Sequence, residues 1–358
     1  MIVYFSDRYM NILGMASTDL PGNFVISNDK RIIDLDSGVS SFEMDLGYTA
    51  ADQIRAKELA AVGNYVLRYH NDQYEYYTII ETENDSLKNS VYLYAEDAGL
   101  DLLNQIVGEY AASSAQPIST YINLFTSGSG FEIGNNEISD RTRKLSWDGE
   151  ATAAERVRSV ATQFDAEIGY RFEIDGLVVT HKYIDIYASR GFNTGVELRL
   201  GREVKQIVEK QSIANLVTAL YPTGATPSGS STPINLVGYT YDDGDIYNDN
   251  GTLKSRSALA KWGRNSGTND IVGTYSYETE TKSVLCSHAV SQLQKQSKPE
   301  TNYDIALYYL PSQLKIGDTA RIIDHAGGLY LSARLLVIEE SVTEHIYNAT
   351  MGDYLIEY

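Results

Sequence analysis

The chain has 358 residues, 43% of them hydrophobic, with 29 Lys and Arg against 48 Asp and Glu for a net charge of −19. That is the balance of a folded protein with material for about two domains rather than of a disordered one. Such a charge repels phosphate backbones and anionic lipid, so specific nucleic-acid binding and resting-state membrane binding are not expected.

Period-two alternation dominates the pattern and predicts a β-rich α+β fold with single helices between groups of strands. Met1–Arg8 lacks a basic segment followed by an apolar one, so no secretion signal is read there. Ala51–Val62 has helical character. Tyr65, Leu67 and Tyr69 alternate, and Tyr74, Tyr76, Thr78 and Ile80 resume the alternation after a short polar connection, which predicts a hairpin. Strands and hairpins are expected over 1–96.

A helix is predicted over Asp97–Val107, and a mixed α/β segment continues to residue 200. Ala111–Phe131 carries no charge but is rich in Ser, Thr and Gly, so it is not a membrane span. Glu150–Phe164 sets Val157, Val160, Ala161 and Phe164 on one helical stripe. Tyr170–Ile174 and Leu177–His181 flank Asp175-Gly176, a tight-turn dipeptide. Residues 201–358 form the remaining strand-rich part, with a polar insertion at about 223–280. Within it Thr223–Pro233 reads as a loop, and 240–280 as a long excursion poor in periodicity. A helix over Ser283–Gln296 and strands over Tyr303–Tyr309 and Leu331–Val337 complete the chain.

No group of residues points to an active site, a cofactor or a metal, and no catalytic, cofactor-binding or metal residue is assigned. Cys286 stands alone, so no intrachain disulfide is possible and a reducing compartment is expected. Cys286 and His288 lie two apart on a predicted helix and would diverge. Asp324-His325 reads as a turn pair. Glu339 and Glu340 fall on opposite faces of a strand. Arg141, Arg143 and Lys144 read as a solvated turn. The acidic run Asp242–Gly251 fails the calcium-loop spacing in both registers, because Ile246 or Tyr247 falls where a ligand is needed. Tyrosine is conspicuous, with 28 Tyr against 8 Phe and 2 Trp. An apolar ring with a polar tip suits strands and surfaces that become buried in a partner.

Four segments carry a resemblance. They are Leu145-Ser146-Trp147-Asp148-Gly149-Glu150-Ala151-Thr152, then Ala214 to Gly224 with its Leu220-Tyr221-Pro222 core, then Lys261-Trp262-Gly263, then Leu314 to Asp324 with Gly317-Asp318. In this order they resemble the tail-tip hubs and tail-associated lysins of siphophages, the prophage endopeptidase tail protein family. The resemblance implies two β-barrel-like hub domains with smaller inserted α/β domains. It also implies a homotrimeric ring in the virion, assembled in the bacterial cytoplasm and closing the distal end of the tail tube. The implied partners are the distal tail protein, the C-terminal end of the tape-measure protein and receptor-binding proteins, with DNA passing through the lumen. Part of the negative charge is expected to face that lumen. Cell-wall hydrolysis, if the family label refers to it, is expected in an extension beyond Tyr358 rather than here. Two alternatives follow: a peptidoglycan-degrading lysin drawing on residues such as His181, Asp324 and His325, or a glycan-binding tail module using Trp147 or Trp262.

Overall fold

The structure is a computed structural model that describes residues 1–356 apart from 21, 23, 98, 228 and 229, and excluding the side chains at 99, 100 and 353–356. Ala98 in the predicted Asp97–Val107 helix, the tip of the Thr223–Pro233 loop and Tyr358 lie outside the described residues.

Seven strands make an N-terminal barrel: Ile2–Ser6, Ile12–Ser17, Phe24–Asp34, Ser40–Tyr48, Tyr65–His70, Gln73–Asp85 and Ser90–Glu96. The first three run side by side, the last three follow beyond Ile2–Ser6, and Ser40–Tyr48 pairs back onto Phe24–Asp34 to close the ring. Alternation drives this directly. Phe42, Met44 and Leu46 are fully buried, while Glu43 and Asp45 between them face out. The predicted hairpin forms through Asn71 and Asp72, both at positive φ, as a two-residue turn between twisted strands requires. The seam between Ile12–Ser17 and Phe24–Asp34 is thin, with Ser17 and Val25 its single pair among the described residues. The helix Gln53–Leu59 backs that seam, with Leu59 buried and Arg55 donating to the Leu13 carbonyl.

A second barrel uses Asn193–Arg199, Thr319–Asp324, Leu329–Ser341, Ile346–Ile356, Glu300–Leu307 and Val204–Ser212, in that spatial order. Among the described residues, its first and last strands meet only through the isolated bridge between Leu200, just past the first, and Val204. Ile305, Leu307, Ile322, Leu331 and Met351 fill it. The barrels are not separate bodies. One edge of Leu329–Ser341 is divided: residues 329–334 pair with Thr319–Asp324, and residues 337–340 pair with residues 31–34 of the N-terminal barrel.

Between the barrels, a three-stranded sheet of Phe131–Asn136, Val178–Tyr187 and Glu167–Asp175 packs against the helices Ile118–Phe125 and Ala153–Gln163. The predicted helix over Asp97–Val107 is corrected here. Only Gly99–Leu103 is helical, and Ile106–Val107 turns away to pair with Ala151–Thr152. The uncharged stretch after it contains a helix that was not predicted. Ile118, Tyr121, Ile122 and Phe125 occupy one buried stripe, in a segment that its serines and glycines disguise as a loop. The helix predicted from Glu150 begins at Ala153 because Thr152 accepts from the Glu155 amide and Glu155 accepts from the Thr152 amide. Thr152→Ala will therefore destabilise the fold by about 1 kcal/mol, which a urea titration will show as a lowered midpoint.

Residues 213–299 leave the second barrel between two neighbouring strands and return to it. The stretch 240–280 is not the unpatterned excursion its polarity suggests. Ile246–Asp249, Thr252–Ser255, Ala219–Thr223 and Val272–Ser276 form a sheet, and the helix Lys282–Gln296 covers it. Leu220, Leu236, Leu253, Leu285 and Leu293 are fully buried in its core. These strands are four or five residues long, too short for alternation to register. No helix among the described residues is long and apolar enough to cross a membrane.

Candidate functional site: a shared acidic face and a buried ionic junction

Eight strands run without a break across both barrels: Val204–Ser212, Glu300–Leu307, Ile346–Ile356, Leu329–Ser341, Phe24–Asp34, Ser40–Tyr48, Ser90–Glu96 and Gln73–Asp85. Their buried face supplies the barrel cores. The registers place Glu81, Glu83, Tyr92, Tyr94, Glu43, Asp45, Lys30, Glu339, Asp304 and Lys210 on the opposite face. Glu96, two residues from Tyr94, lies on that face as well, so carboxylates outnumber lysines there.

The carboxylates are held in place. The Tyr92 hydroxyl donates to Glu43 at 2.5 Å and the Tyr94 hydroxyl to Glu96 at 2.6 Å. Burial and these acidic partners push both phenols well above their ordinary range, so they stay protonated donors. Lys30 lies 3.7 Å from Glu43 and 3.6 Å from Glu339, bridging the barrels. Asn348 donates to Glu339 and Thr350 to Asp304, and Lys210 pairs with Asp304. A shallow cavity of about 260 Å³ lies on the same face, lined by Val208, Asp304, Ala306, Val337, Glu339 and Asn348. Tyrosine in place of phenylalanine therefore has a purpose here: its ring pads the sheet and its hydroxyl fixes an acid.

Where the barrels join, the other side of the same strands holds a buried ionic cluster. Arg68 donates to Glu75 at 2.7 Å and to Glu340 at 2.8 Å, and Tyr77 donates to Glu75 at 3.1 Å. Arg31 pairs with Glu75 and lies 3.5 Å from Glu340. Burial alone would weaken the Arg31 charge, but Glu75, Tyr77 and Glu340 outweigh it and hold the guanidinium above its usual range. His70 lies 3.7 Å from Glu340; burial and Arg68 lower its pKa. Residues 31, 68, 75 and 340 are too scattered in sequence for any local pattern to announce this cluster.

The residues singled out by sequence lie apart from one another, each with its own partners. Glu339 and Glu340 do fall on opposite faces, one in each arrangement above. Asp324 accepts the Ala326 and Gly327 amides at 3.0 Å, and the His325 Nδ1 lies 2.8 Å from the Tyr330 hydroxyl. Cys286 is packed in a core, whereas His288 stacks on Tyr277 with ring centres 3.8 Å apart. His181 stacks on Tyr183 at the surface. Asp242 pairs with Arg256 through both oxygens, which together with the Gly244 amide lowers its pKa to about 2. Asp245 accepts the Ser257 amide at the start of the next helix. Trp147 donates to Ser159 and packs on Tyr121 and Phe125, and Trp262 lies beneath Lys261. The solvated-turn reading of Arg143 is corrected: it pairs with Asp165 at 2.9 Å and covers the Tyr277 ring, joining the central α/β part to the insertion.

Two motif glycines have steric reasons. A side chain on Gly224 would lie 2.5 Å from the Thr279 carbonyl, and one on Gly317 would lie 2.3 Å from the Arg190 carbonyl. Asp318 next to it accepts the Phe192 and Lys315 amides.

The chain exposes 17912 Å², against roughly 14,000 Å² for a compact monomer of this mass. Residues 192–351 match the family model of the prophage endopeptidase tail. The whole chain shares its fold with solved tail proteins. It covers 99% of itself and 94% of prophage tail protein gp18 from Listeria monocytogenes, at 11% identity and a TM-score of 0.60. The corresponding values are 98%, 97%, 13% and 0.62 for the 43 kDa tail protein of prophage MuSo2 from Shewanella oneidensis. An Escherichia coli component of the type VI secretion system, described as structurally similar to the T4 tail proteins gp27 and gp5, aligns over 95% of this chain and 76% of its own length at 11% identity and a TM-score of 0.51. No curated protein matches the sequence.

Proposed function

We propose that this chain, whose residues 192–351 match the family model of the prophage endopeptidase tail, is the structural hub closing the distal end of a phage tail tube. Three copies form a ring at the tail tip, with the two barrels of each subunit side by side around the axis. The first 96 residues supply one barrel and the C-terminal strands the other, while the α/β part and the insertion lie outside. The observation that carries the reading is the unbroken eight-stranded sheet shared by two barrels, in a chain with far more surface than a monomer of its size needs.

In this reading the acidic face lines the lumen. DNA phosphates meet Glu43, Glu81, Glu83, Asp304 and Glu339 and are repelled, so the duplex passes without adhering. The distal tail protein binds one rim of the ring, and the C-terminal end of the tape-measure protein ends inside it. Native mass spectrometry of the purified chain, alone and with the distal tail protein, tests the proposal. A mass of three chains in either condition is the expected result; a monomer in both would overturn it.

A further inference from the structure

The second barrel closes loosely. Among the described residues its first strand, Asn193–Arg199, forms a ladder only with Thr319–Asp324, and the bridge between Leu200 and Val204 alone links it toward the last strand. Beside that gap an open cleft of about 510 Å³ lies between Val196, Glu197 and Glu203 and the segment Tyr309–Gln313. We propose that this cleft binds a neutral oligosaccharide, with a sugar ring stacked on Tyr309 and its hydroxyl groups bonded to Glu197, Glu203 and Gln313. The volume falls within the roughly 300–1,000 Å³ of small-ligand sites. Neither Asn193–Arg199 nor Thr319–Asp324 belongs to the eight-stranded sheet, so the cleft lies off the acidic face.

The lining selects the ligand. Tyr309 is 51% exposed, so its ring is open to a partner in the cleft, and an aromatic face suits the apolar C–H face of a sugar. The wall that carries it is preformed. Leu310 packs against the barrel core, Pro311 and Leu314 are buried, and the Leu314 amide donates to the Pro311 carbonyl at 2.9 Å. On the opposite wall Glu197 pairs with Arg199 and, at 3.1 Å, with Arg321; Arg199 foremost holds its carboxyl below the ordinary range. Glu203 accepts the Arg199 amide at 3.2 Å and pairs with Arg202 at 3.0 Å. Each carboxylate is thus oriented and balanced by arginine, yet keeps acceptor capacity, since its two oxygens offer about four lone-pair sites. Balanced acceptors favour an uncharged ligand rich in hydroxyl donors. An anion would meet two carboxylates in the lining, and a cation would have to compete with the arginines. Ser312 and Gln313, both exposed, add a hydroxyl and an amide.

Isothermal titration calorimetry of the full chain tests the proposal with defined tetrasaccharides: one of N-acetylglucosamine, one of glucose, and an acidic one from hyaluronan. At least one neutral probe is expected to bind saturably, and more tightly than the acidic probe. Tyr309→Ala should weaken that binding about tenfold, whereas Tyr309→Phe, which keeps the ring, should retain it. Glu197→Gln should also weaken it, because a neutral amide is a poorer acceptor for hydroxyl groups. Trp262→Ala, in the insertion, should leave it unchanged. Circular dichroism melts matching wild type are expected for the Tyr309 variants, since the side chain is half exposed. No saturable binding of either neutral probe at millimolar concentration would overturn the proposal. So would tighter binding of the acidic probe, or binding that a folded Tyr309→Ala variant keeps in full.

Discussion

Glu340→Ala is expected to cost about 3–5 kcal/mol, because it leaves the Arg68 and Arg31 guanidinium groups in a buried site without one of their two carboxylates. Arg68 is 2% exposed, so water cannot replace the lost oxygen. The loss will extend beyond one barrel. Glu340 belongs to the strand that serves both, and Arg31 lies directly opposite it across the ladder. Hydrogen exchange followed by mass spectrometry should show residues 2–6, 65–70 and 300–307 losing protection together. Faster exchange confined to the N-terminal barrel would contradict this coupling. Removing both charges with apolar residues, as in Arg68→Met with Glu340→Leu, should recover part of the loss, since the cost lies mainly in the orphaned charge.

Gly317→Ala should cost about 2–5 kcal/mol through two additive effects. Its φ of +86° penalises any side chain, and the added carbon would lie 2.3 Å from the Arg190 carbonyl. Gly191 faces it at φ +85°, and a side chain there would meet the Gly317 backbone just as closely. The chain running from the α/β part into the second barrel thus crosses the Gly317 turn backbone against backbone. Gly328→Ala is the control: its φ is also positive, but nothing lies within 4 Å. That variant should lose only about 1–2 kcal/mol. Thermal melts of the two variants side by side will read the difference, and equal losses would show that the crossing is not sterically critical.

What the sequence disclosed follows from the range of each interaction. Alternation revealed the long strands, since half-buried sheets record their burial residue by residue; Phe42, Met44 and Leu46 are an example. The Glu150–Phe164 stripe revealed its helix, although the start is set by the Thr152–Glu155 cap. The helix Ile118–Phe125 escaped because its Ser- and Gly-rich surroundings outweighed a visible stripe. The strands Ile246–Asp249 and Thr252–Ser255 escaped because they are too short to show a period. The ionic junction was illegible for a different reason. Arg31, Arg68, Glu75 and Glu340 meet only through the tertiary pairing of strands from opposite ends of the chain. The acidic face was half legible: net charge and tyrosine excess signalled it, but only strand registers place Tyr92 beside Glu43 and Asp45.

The divided edge of Leu329–Ser341 has a mechanical consequence. Since its two halves hydrogen-bond to different barrels, the barrels cannot rotate against each other without breaking backbone bonds in both. The two barrels of the chain should therefore move as one stiff block. In the proposed ring, dilation of the channel would then have to take place at the seams between subunits, with the insertion tied to the α/β part through Asp165, which pairs with Arg143 and accepts from Tyr277.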